Sequence, residues 1–163
     1  MTNLPQLPIK ILNQSCTYLG VDTQAPNYRA KPYSLSFDVG VSCEKLEEKH
    51  WEVSIELELF AKHVENPENY NFNLEGRWIA VVYTEIENLP DITIEQVRQY
   101  LANTVGAYIW GSARNLVSST MQGFGYIDVI LPPVDSQLFV TKLLESDQEK
   151  SNEENYLQLE DNA

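Results

Sequence analysis

Three glutamates on one stretch of the sequence are the side chains that could form an acid–base site. Glu52, Glu56 and Glu58 are separated by even intervals, so on a β-strand they lie on one face. General acid–base catalysis needs a carboxyl group whose pKa is raised by burial. Apolar residues alternate with these glutamates, and the pattern therefore predicts the solvated face of an amphipathic strand rather than a catalytic site.

The two histidines and two cysteines do not follow a metal-binding or redox motif. His50 and His63 bracket one predicted strand at an odd separation, which predicts opposite faces, no shared metal site and exposed strand-end positions. Cys16 and Cys43 lack the Cys-x-x-Cys spacing of redox pairs, so we expect free thiols ahead of a disulfide. The sequence also lacks a nucleophile elbow, a phosphate loop and a dinucleotide-binding motif. We therefore expect no enzymatic activity, metal or cofactor.

The charge of the chain excludes two classes of partner. Its 163 residues include 24 acidic and 11 basic side chains, which gives a net charge of −13. Nucleic acids and anionic membrane surfaces both bind clustered basic residues, so neither is an expected partner. No apolar run is long enough to span a bilayer, and the first ten residues do not form a secretory signal. We therefore expect a cytoplasmic location, no membrane insertion, and partners that are basic or weakly charged.

The first half of the sequence predicts four antiparallel strands. Apolar residues alternate with polar ones over Tyr33–Val41 and again over His50–Leu59, which is typical of strands with one buried face. A weaker strand is predicted upstream over Ile9–Tyr18, and a fourth over Phe72–Tyr83. Residues 79–83 of the fourth strand are apolar on both faces, which predicts that a helix or another subunit covers them.

The second half predicts a long helix and a short helix. Thr93 and Gln96 form a capping box, and the apolar residues that follow recur at helical spacing. The short helix is expected from Asp135 to about Leu144. Seven acidic residues and one lysine after residue 144 predict a disordered tail. The result is an α+β fold, a four-stranded antiparallel sheet followed by two helices, with a domain over 1–144 and a tail over 145–163.

Aromatic and aliphatic residues occupy the link between the two predicted helices, where polar residues are the norm. Together with two tyrosines upstream, they are Tyr28, Tyr33, Phe124, Tyr126, Ile127, Val129 and Ile130. Such a link either covers one end of the sheet or lines an exposed apolar groove, and large exposed apolar patches usually bind another molecule. The residues alone leave both interpretations open.

Two segments of the second half resemble the SecB family of protein-export chaperones. Residues 109–115, Ile-Trp-Gly-Ser-Ala-Arg-Asn, are similar to the Leu-Phe/Trp-Pro-Tyr-Ala-Arg-Glu segment in the long helix of that family. Residues 131–135, Leu-Pro-Pro-Val-Asp, are similar to its Leu-Pro-Pro-Val-Asn segment. The order of strands and helices and the acidic C-terminal region agree with the same family along almost the whole chain.

The resemblance implies an ATP-independent holdase, a homotetramer built as a dimer of dimers, which binds unfolded or precursor polypeptides and passes them to the SecA ATPase. It implies no cofactor. The implied client-binding groove comprises Tyr28, Tyr33, Phe72, Leu74, Trp78, Phe124, Tyr126, Ile127, Val129 and Ile130. The implied oligomer interface, where glycines would allow close helix packing, comprises Gly106, Trp110, Gly111, Ala113 and Arg114. The candidate acidic face for docking a basic partner comprises Asp22, Glu52, Glu56 and Glu58.

Two alternative functions remain open. One branch of the same family serves toxin–antitoxin systems and protects an antitoxin. In export-type members, acidic residues near the end of the first strand contact SecA, and the corresponding positions are Gly20 and Gln24 in this chain, with Asp22 between them. The other alternative is a non-enzymatic adaptor whose apolar link docks one folded partner.

Overall fold

The structure, a computed structural model, describes residues 9–23, 33–65, 70–85 and 92–160, and the side chains as far as residue 152. Four strands precede two helices: β1 Lys10–Thr23, β2 Tyr33–Glu47, β3 His50–His63, β4 Tyr70–Tyr83, α1 Ile94–Gly123 and α2 Gln137–Glu160. All neighbouring strands are antiparallel, in the order β1-β4-β3-β2, so β1 and β2 form the two edges. The predicted α+β fold is confirmed.

The alternating pattern of β3 places its apolar side chains in the core. Trp51, Val53, Ile55, Leu57 and Leu59 are each at most 2% exposed, as expected for a central strand with one covered face. The two helices pack on this face and belong to the same core cluster. The polar side chains of β3 therefore lie on the opposite face, which we call the outer face of the sheet.

The apolar end of β4 is half-buried on the outer face. Ile79, Val81 and Tyr83 retain intermediate exposure, and the Tyr83 ring packs edge-on against His50 with the centroids 5.6 Å apart. A helix of this chain does not bury them fully, so the predicted cover by a second subunit remains a prediction.

Strand β1 contains two β-bulges, which explain why its sequence pattern is weak. The register with β4 shifts between Ile11 and Asn13 and again between Cys16 and Tyr18. Each bulge adds one residue and reverses the facing of the residues after it. The period-two alternation that identifies the other strands is therefore interrupted twice in β1.

Helix α1 begins at the predicted capping box. Gln96 N–H donates to Thr93 Oγ1 at 3.2 Å, and Thr93 N–H donates to Gln96 Oε1 at 2.9 Å. Phe124 forms the C-cap, and Gly125 follows with φ of 87°, a left-handed conformation that glycine adopts without strain. The buried residues of α1 recur at helical spacing and include Val97, Leu101, Val105, Ile109, Ala113 and Val117.

Helix α2 corrects the predicted start and end of the second helix. It begins at Gln137 rather than Asp135, whose Oδ1 accepts the Gln137 N–H at 3.0 Å. It continues to Glu160, so the expected helix end at Leu144 and the disorder expected directly after it are wrong. Glutamate, glutamine, lysine and leucine are strong helix formers, and a high charge density does not by itself stop a helix. The division into a domain over 1–144 and a tail over 145–163 remains a prediction.

Both cysteines lie in the part of the chain that the structure describes. Cys16 and Cys43 are both free thiols, as expected. Burial raises the pKa of Cys43 to about 12, so its thiol stays protonated at neutral pH. Among the residues that the structure describes, no helix combines the length and apolar character needed to cross a membrane.

Candidate functional site

The link between the helices, residues 124–136, is fixed at its beginning by two tyrosine hydroxyls. Tyr33 Oη on β2 donates to Asp128 Oδ1 at 2.6 Å, and Tyr126 Oη donates to the Asn71 carbonyl on β4 at 3.3 Å. The rings of Tyr33, Phe72 and Tyr126 meet edge to face, with centroids 4.8 to 6.1 Å apart. This part of the link therefore rests on an aromatic cluster at one end of the sheet.

Two side chains of α1 fix the second part of the link. Arg114 Nε donates to the Leu131 carbonyl at 2.8 Å, and Trp110 Nε1 donates to the Pro132 carbonyl at 3.1 Å. The Trp110 ring also packs on Phe37 of β2 with the centroids 5.9 Å apart. Asp128 is bonded to Tyr33 of β2, and Pro132 is bonded to Trp110, whose ring packs on Phe37 of β2. The link therefore runs beside the first half of β2.

Five large apolar side chains remain exposed on the link and on the adjacent half of β2. Ile127 is 77% exposed, Ile130 61%, Leu35 41%, and Phe37 and Phe124 37% each. We call these five residues the apolar strip. The hydrogen bonds described above fix the link at positions beside its exposed side chains. These side chains cannot turn inward unless those bonds break. Exposed apolar side chains grouped in this way are typical of a surface that binds another molecule.

The ten predicted groove residues fall into separate groups. Tyr28 lies outside the described residues, Tyr33 is half-buried, and Phe124, Ile127 and Ile130 belong to the apolar strip. The other five are at most 3% exposed and belong to the hydrophobic core: Phe72, Leu74, Trp78, Tyr126 and Val129. Both earlier interpretations of the link are therefore met in part, since it covers the sheet and also exposes apolar groups.

Leu35 and Phe37 were not predicted as site residues. Their alternating pattern is that of a buried strand face, and the sequence does not indicate that β2 is an edge strand. The sequence pattern of β2 does not distinguish them, and the difference is seen only in the structure, where exposed positions up to Asp38 give way to Val39 and Val41 at 3% each.

The predicted oligomer-interface residues are mostly occupied within the chain. Gly106, Trp110 and Ala113 are buried, and Arg114 is half-buried with its Nε bonded to the link. A Cβ on Gly106 would lie 3.0 Å from Phe139 Cγ, so the close helix contact expected there joins α1 to α2 of the same chain. Gly111 alone of the five is exposed, and within the described chain no heavy atom lies within 4 Å of its Cβ position. A subunit contact at Gly111 remains a prediction.

The predicted acidic residues lie on the outer face of the sheet. Glu52 and Glu56 approach Arg77 on β4, at 3.8 and 3.6 Å. Asp22 accepts a hydrogen bond from Tyr70 Oη at 2.7 Å. The glutamates on this face are half-buried or exposed, as their alternating pattern predicted.

Two further acidic residues join this face through the strand register. Asp38 on β2, Glu58 on β3 and Glu75 on β4 are paired in one row across three strands. Lys142 of α2 donates to Asp38 Oδ1 at 3.0 Å, and this bond, followed by one from Val39 N–H, holds the pKa of Asp38 below its ordinary value. Sequence reasoning missed Asp38 and Glu75 because single residues on separate strands meet only through the sheet order.

The histidines lie at the two ends of β3. His63 is only 4% exposed and its Nδ1 accepts the Glu65 N–H at 3.2 Å, so the expectation of an exposed histidine is wrong there. His50 is half-buried beside Tyr83. Within the described ranges, histidine, cysteine, aspartate and glutamate do not form a group of three or more that could hold a metal ion.

The chain is similar to known proteins in its sequence and in its fold. The family model described as SecB, preprotein translocase subunit SecB, matches residues 21–146. No curated protein sequence matches the chain. The solved SecB-like chaperone Rv1957 from Mycobacterium tuberculosis, in complex with a ChAD peptide from the Rv1956 HigA1 antitoxin, is 12% identical. That match has a TM-score of 0.63 and covers 77% of this chain and 90% of the other.

A second solved structure has a weaker likeness. A protein of unknown function from Streptococcus agalactiae is 9% identical, with a TM-score of 0.38, and the match covers 79% of this chain and 98% of the other. The likeness to Rv1957 concerns the fold, which both chains share.

Proposed function

This chain belongs to the SecB family, and we propose that it is an ATP-independent chaperone that holds unfolded polypeptides on the apolar strip. The observation that carries this proposal is the combination of exposed apolar side chains with a firmly anchored link. The exposed residues Ile127 and Ile130 lie on either side of Asp128, whose carboxylate is bonded to Tyr33. Ile130 also directly precedes Leu131, whose carbonyl is bonded to Arg114. The strip therefore stays open to a client.

Apolar contact suits a chaperone that must accept many sequences. The hydrophobic effect is non-directional and scales with the area that is removed from water, so any apolar segment of suitable size can bind. Covering one large aliphatic side chain contributes about 1.5 to 3 kcal/mol. A few such contacts give reversible binding, which allows release without ATP. The chain would need neither a cofactor nor an enzymatic activity for this function.

The acidic outer face would add a preference for basic segments. Asp38, Glu58 and Glu75 lie in one row on a chain whose net charge is −13. Such a field attracts cationic polypeptides over roughly 10 Å at ordinary ionic strength. Unfolded segments that combine apolar and basic residues are therefore the proposed clients.

Suppression of aggregation tests this function. We expect equimolar protein to suppress the aggregation of a chemically unfolded model substrate without ATP, and a double variant Ile127→Asn/Ile130→Asn to suppress it much less. Leu46→Asn is the matched control, because Leu46 is 51% exposed at the opposite end of β2. Equal activity of the double variant would contradict the role of the strip. Tight binding of one folded protein without binding of unfolded chains would indicate an adaptor instead.

For the pathway, we propose the export of precursor proteins by transfer to SecA in the cytoplasm, from a homotetramer. The family description, a preprotein translocase subunit, supports export, and the acidic outer face supports docking of a basic partner. Co-purification with SecA and precursors tests the pathway, and light scattering at about four times the chain mass tests the tetramer. The variant Glu56→Gln/Glu58→Gln should weaken SecA binding and leave suppression of aggregation unchanged.

Protection of an antitoxin is the second candidate. The fold is shared with a SecB-like chaperone that was solved with an antitoxin peptide. In addition, Tyr18 lies over Gly20 with its hydroxyl 3.4 Å from Glu75, so an aromatic ring occupies the region where export-type members carry acids. Co-purification of an antitoxin rather than SecA, and growth arrest on deletion of the chaperone gene, would favour this candidate.

A further inference from the structure

The two halves of the edge strand β2 differ in how they are covered. From Val39 to Cys43, the strand lies beneath α2, and Val39, Val41 and Cys43 are at most 3% exposed. Before that point, residues 34–38 are all exposed, although they still pair with β3. One stretch of this sheet edge is therefore accessible.

The hydrogen bonds of the covered half show which way the backbone groups point. Val39 N–H is bonded to Asp38 Oδ1 at 2.9 Å, and the Cys43 carbonyl accepts Arg98 Nε at 3.0 Å. In an antiparallel pair, alternate residues direct both backbone groups away from the neighbouring strand. By this alternation, Leu35 and Phe37 direct their N–H and C=O groups outward. Within the described chain, these groups have no hydrogen-bond partner.

We propose that an extended segment of a client adds to the sheet as a fifth strand along residues 33–37. This inference rests on the proposed chaperone function and adds the mode of binding. The backbone groups of Leu35 and Phe37 would pair with those of the client, which gives affinity that does not depend on the client sequence. The client residues that point to the helix side would meet the apolar strip, where Leu35 and Phe37 are 41% and 37% exposed.

The other side of the added strand faces two serines and one acidic residue. The alternate residues of the client point to the outer face, beside Ser34, Ser36 and, at the end of the stretch, Asp38. Their register partners on β3 are Lys62, Phe60 and Glu58, so the acidic charge lies at the Asp38 end. Cross-strand neighbours of opposite charge stabilise a sheet, and like charges directly opposite destabilise it. The fitting client is therefore an extended segment in which apolar residues alternate with polar ones and a lysine or arginine lies beside Asp38. A second copy of this chain fits less well, since each copy has a net charge of −13.

The covered half limits the length of the added strand. Asp38 already caps the Val39 N–H and binds Lys142 of α2, so pairing cannot extend past this point without displacing α2. The open stretch of five residues spans about 17 Å at 3.3 Å per residue. Short extended segments would therefore bind one at a time along a long client.

A peptide series tests the pairing directly. The probe is a fluorescent peptide of about seven residues that alternates lysine and valine, and its affinity for the full chain is measured by anisotropy. An analogue with N-methylated valines and one with N-methylated lysines retain every side chain but each lose the N–H groups of one peptide edge. We expect one of the two analogues to bind at least about tenfold more weakly, as the loss of one or two hydrogen bonds requires. Equal binding of all three peptides would overturn the proposal.

A variant of the chain tests the same edge from the other side. Leu35→Pro removes an outward N–H group and leaves the ladder with β3 intact, while Leu35→Ala removes the side chain and retains the N–H. We expect the proline variant to bind the probe more weakly than the alanine variant. If the proline variant does not fold, the peptide series decides alone. Unchanged probe binding with a smaller oligomer would assign the edge to a contact between copies and overturn the proposal.

The proposed function can survive the failure of this inference. If unfolded substrate is still protected from aggregation while all three peptides bind alike, the chain is a chaperone that grips clients by side-chain contact alone. If aggregation is not suppressed at all, the chaperone function itself fails.

Discussion

Arg98 and Asp147 join the two helices through a bidentate ion pair, in which Nη1 and Nη2 each lie 2.8 Å from a carboxylate oxygen. Arg98 Nε also donates to the Cys43 carbonyl, so one side chain connects α1, α2 and the edge strand β2. This ion pair lies beyond Leu144, in the segment for which the sequence predicts disorder. It holds the acidic part of α2 against the sheet.

Removal of the Asp147 carboxylate should loosen the end of α2. We expect Asp147→Asn to lower the free energy of unfolding by about 1 kcal/mol, as for a partly exposed ion pair, and to speed amide exchange at residues 148–152. Thermal unfolding and hydrogen exchange provide the measurements. Glu149→Gln is the control, because Glu149 is exposed on the same helix. Equal exchange in both variants would show that the ion pair does not hold the helix.

A side chain at Gly106 should destabilise the chain itself. A Cβ at this position would already lie in tight contact with Phe139 Cγ at 3.0 Å, so the larger side chain of Gly106→Leu forces α1 and α2 apart. We expect a loss of about 1 to 3 kcal/mol, typical of overpacking, in denaturant unfolding. Gly111→Leu serves as the control, because the space around Gly111 is open in the chain. The interpretation fails if both substitutions cost the same.

Gly111 should affect assembly rather than folding. If α1 meets another subunit there, Gly111→Leu reduces the mass measured by light scattering and leaves the unfolding free energy of the chain near that of the wild type. Loss of a helical glycine even favours the helix by up to about 1 kcal/mol. An unchanged oligomer would reject a subunit contact at this position.

The hydroxyl of Tyr33 should stiffen the link between the helices. Tyr33→Phe removes the donor to Asp128 and leaves the ring in its aromatic cluster, so we expect a loss of about 1 kcal/mol and faster amide exchange at residues 126–130. Burial, followed by the bond to Asp128, raises the pKa of this hydroxyl, so it donates throughout the neutral range. Tyr108→Phe, on an exposed face of α1, should change neither quantity. Faster exchange in both variants would contradict the anchor.

Acid should weaken the contact between α2 and β2 through Asp38. The Lys142 ammonium lowers the pKa of this carboxyl, so the stabilisation is present above the ordinary pKa and is lost as the pH falls below about 4 and through the lowered value. The pKa of Lys142 is raised by the same bond, so its contribution persists at neutral pH and is lost only as the pH rises through that raised value. Unfolding measured against pH should therefore show a smaller acid-dependent loss in Lys142→Met than in the wild type. Superimposable pH profiles would exclude this ion pair.

The sequence determines the elements of this fold better than their arrangement. The period-two pattern of β3 and the capping box at Thr93 depend on neighbours along the chain, and the structure has both where they were predicted. The extent of α2 was missed because Arg98, Asp38 and Glu44, which bind it, come from distant segments. Charge density was read as a sign of disorder, although its counter-charges lie on other elements.

The candidate site could be predicted only in part for the same reason. The apolar link was recognisable because three exposed apolar residues, Phe124, Ile127 and Ile130, stand where polar residues are usual. Leu35 and Phe37 were not, since their exposure depends on β2 being an edge, and the order of strands is a property of the whole sheet. The contact between Gly106 and Phe139 was expected between subunits because glycine spacing does not reveal which helix approaches it.

The two bulges of β1 act as a pair. The first moves the inward-facing positions from Ile11 to Gln14 and Cys16, and the second returns them to Leu19 and Val21. Deletion of the extra residue at either bulge would therefore leave regular pairing with β4 and keep the facing of every later residue, because the remaining residues retain their partners. A single deletion elsewhere in the strand would invert the facing of the residues beyond it unless a bulge absorbs the change. Homologous sequences of this family should thus differ by single residues in this strand at the bulges and not between them.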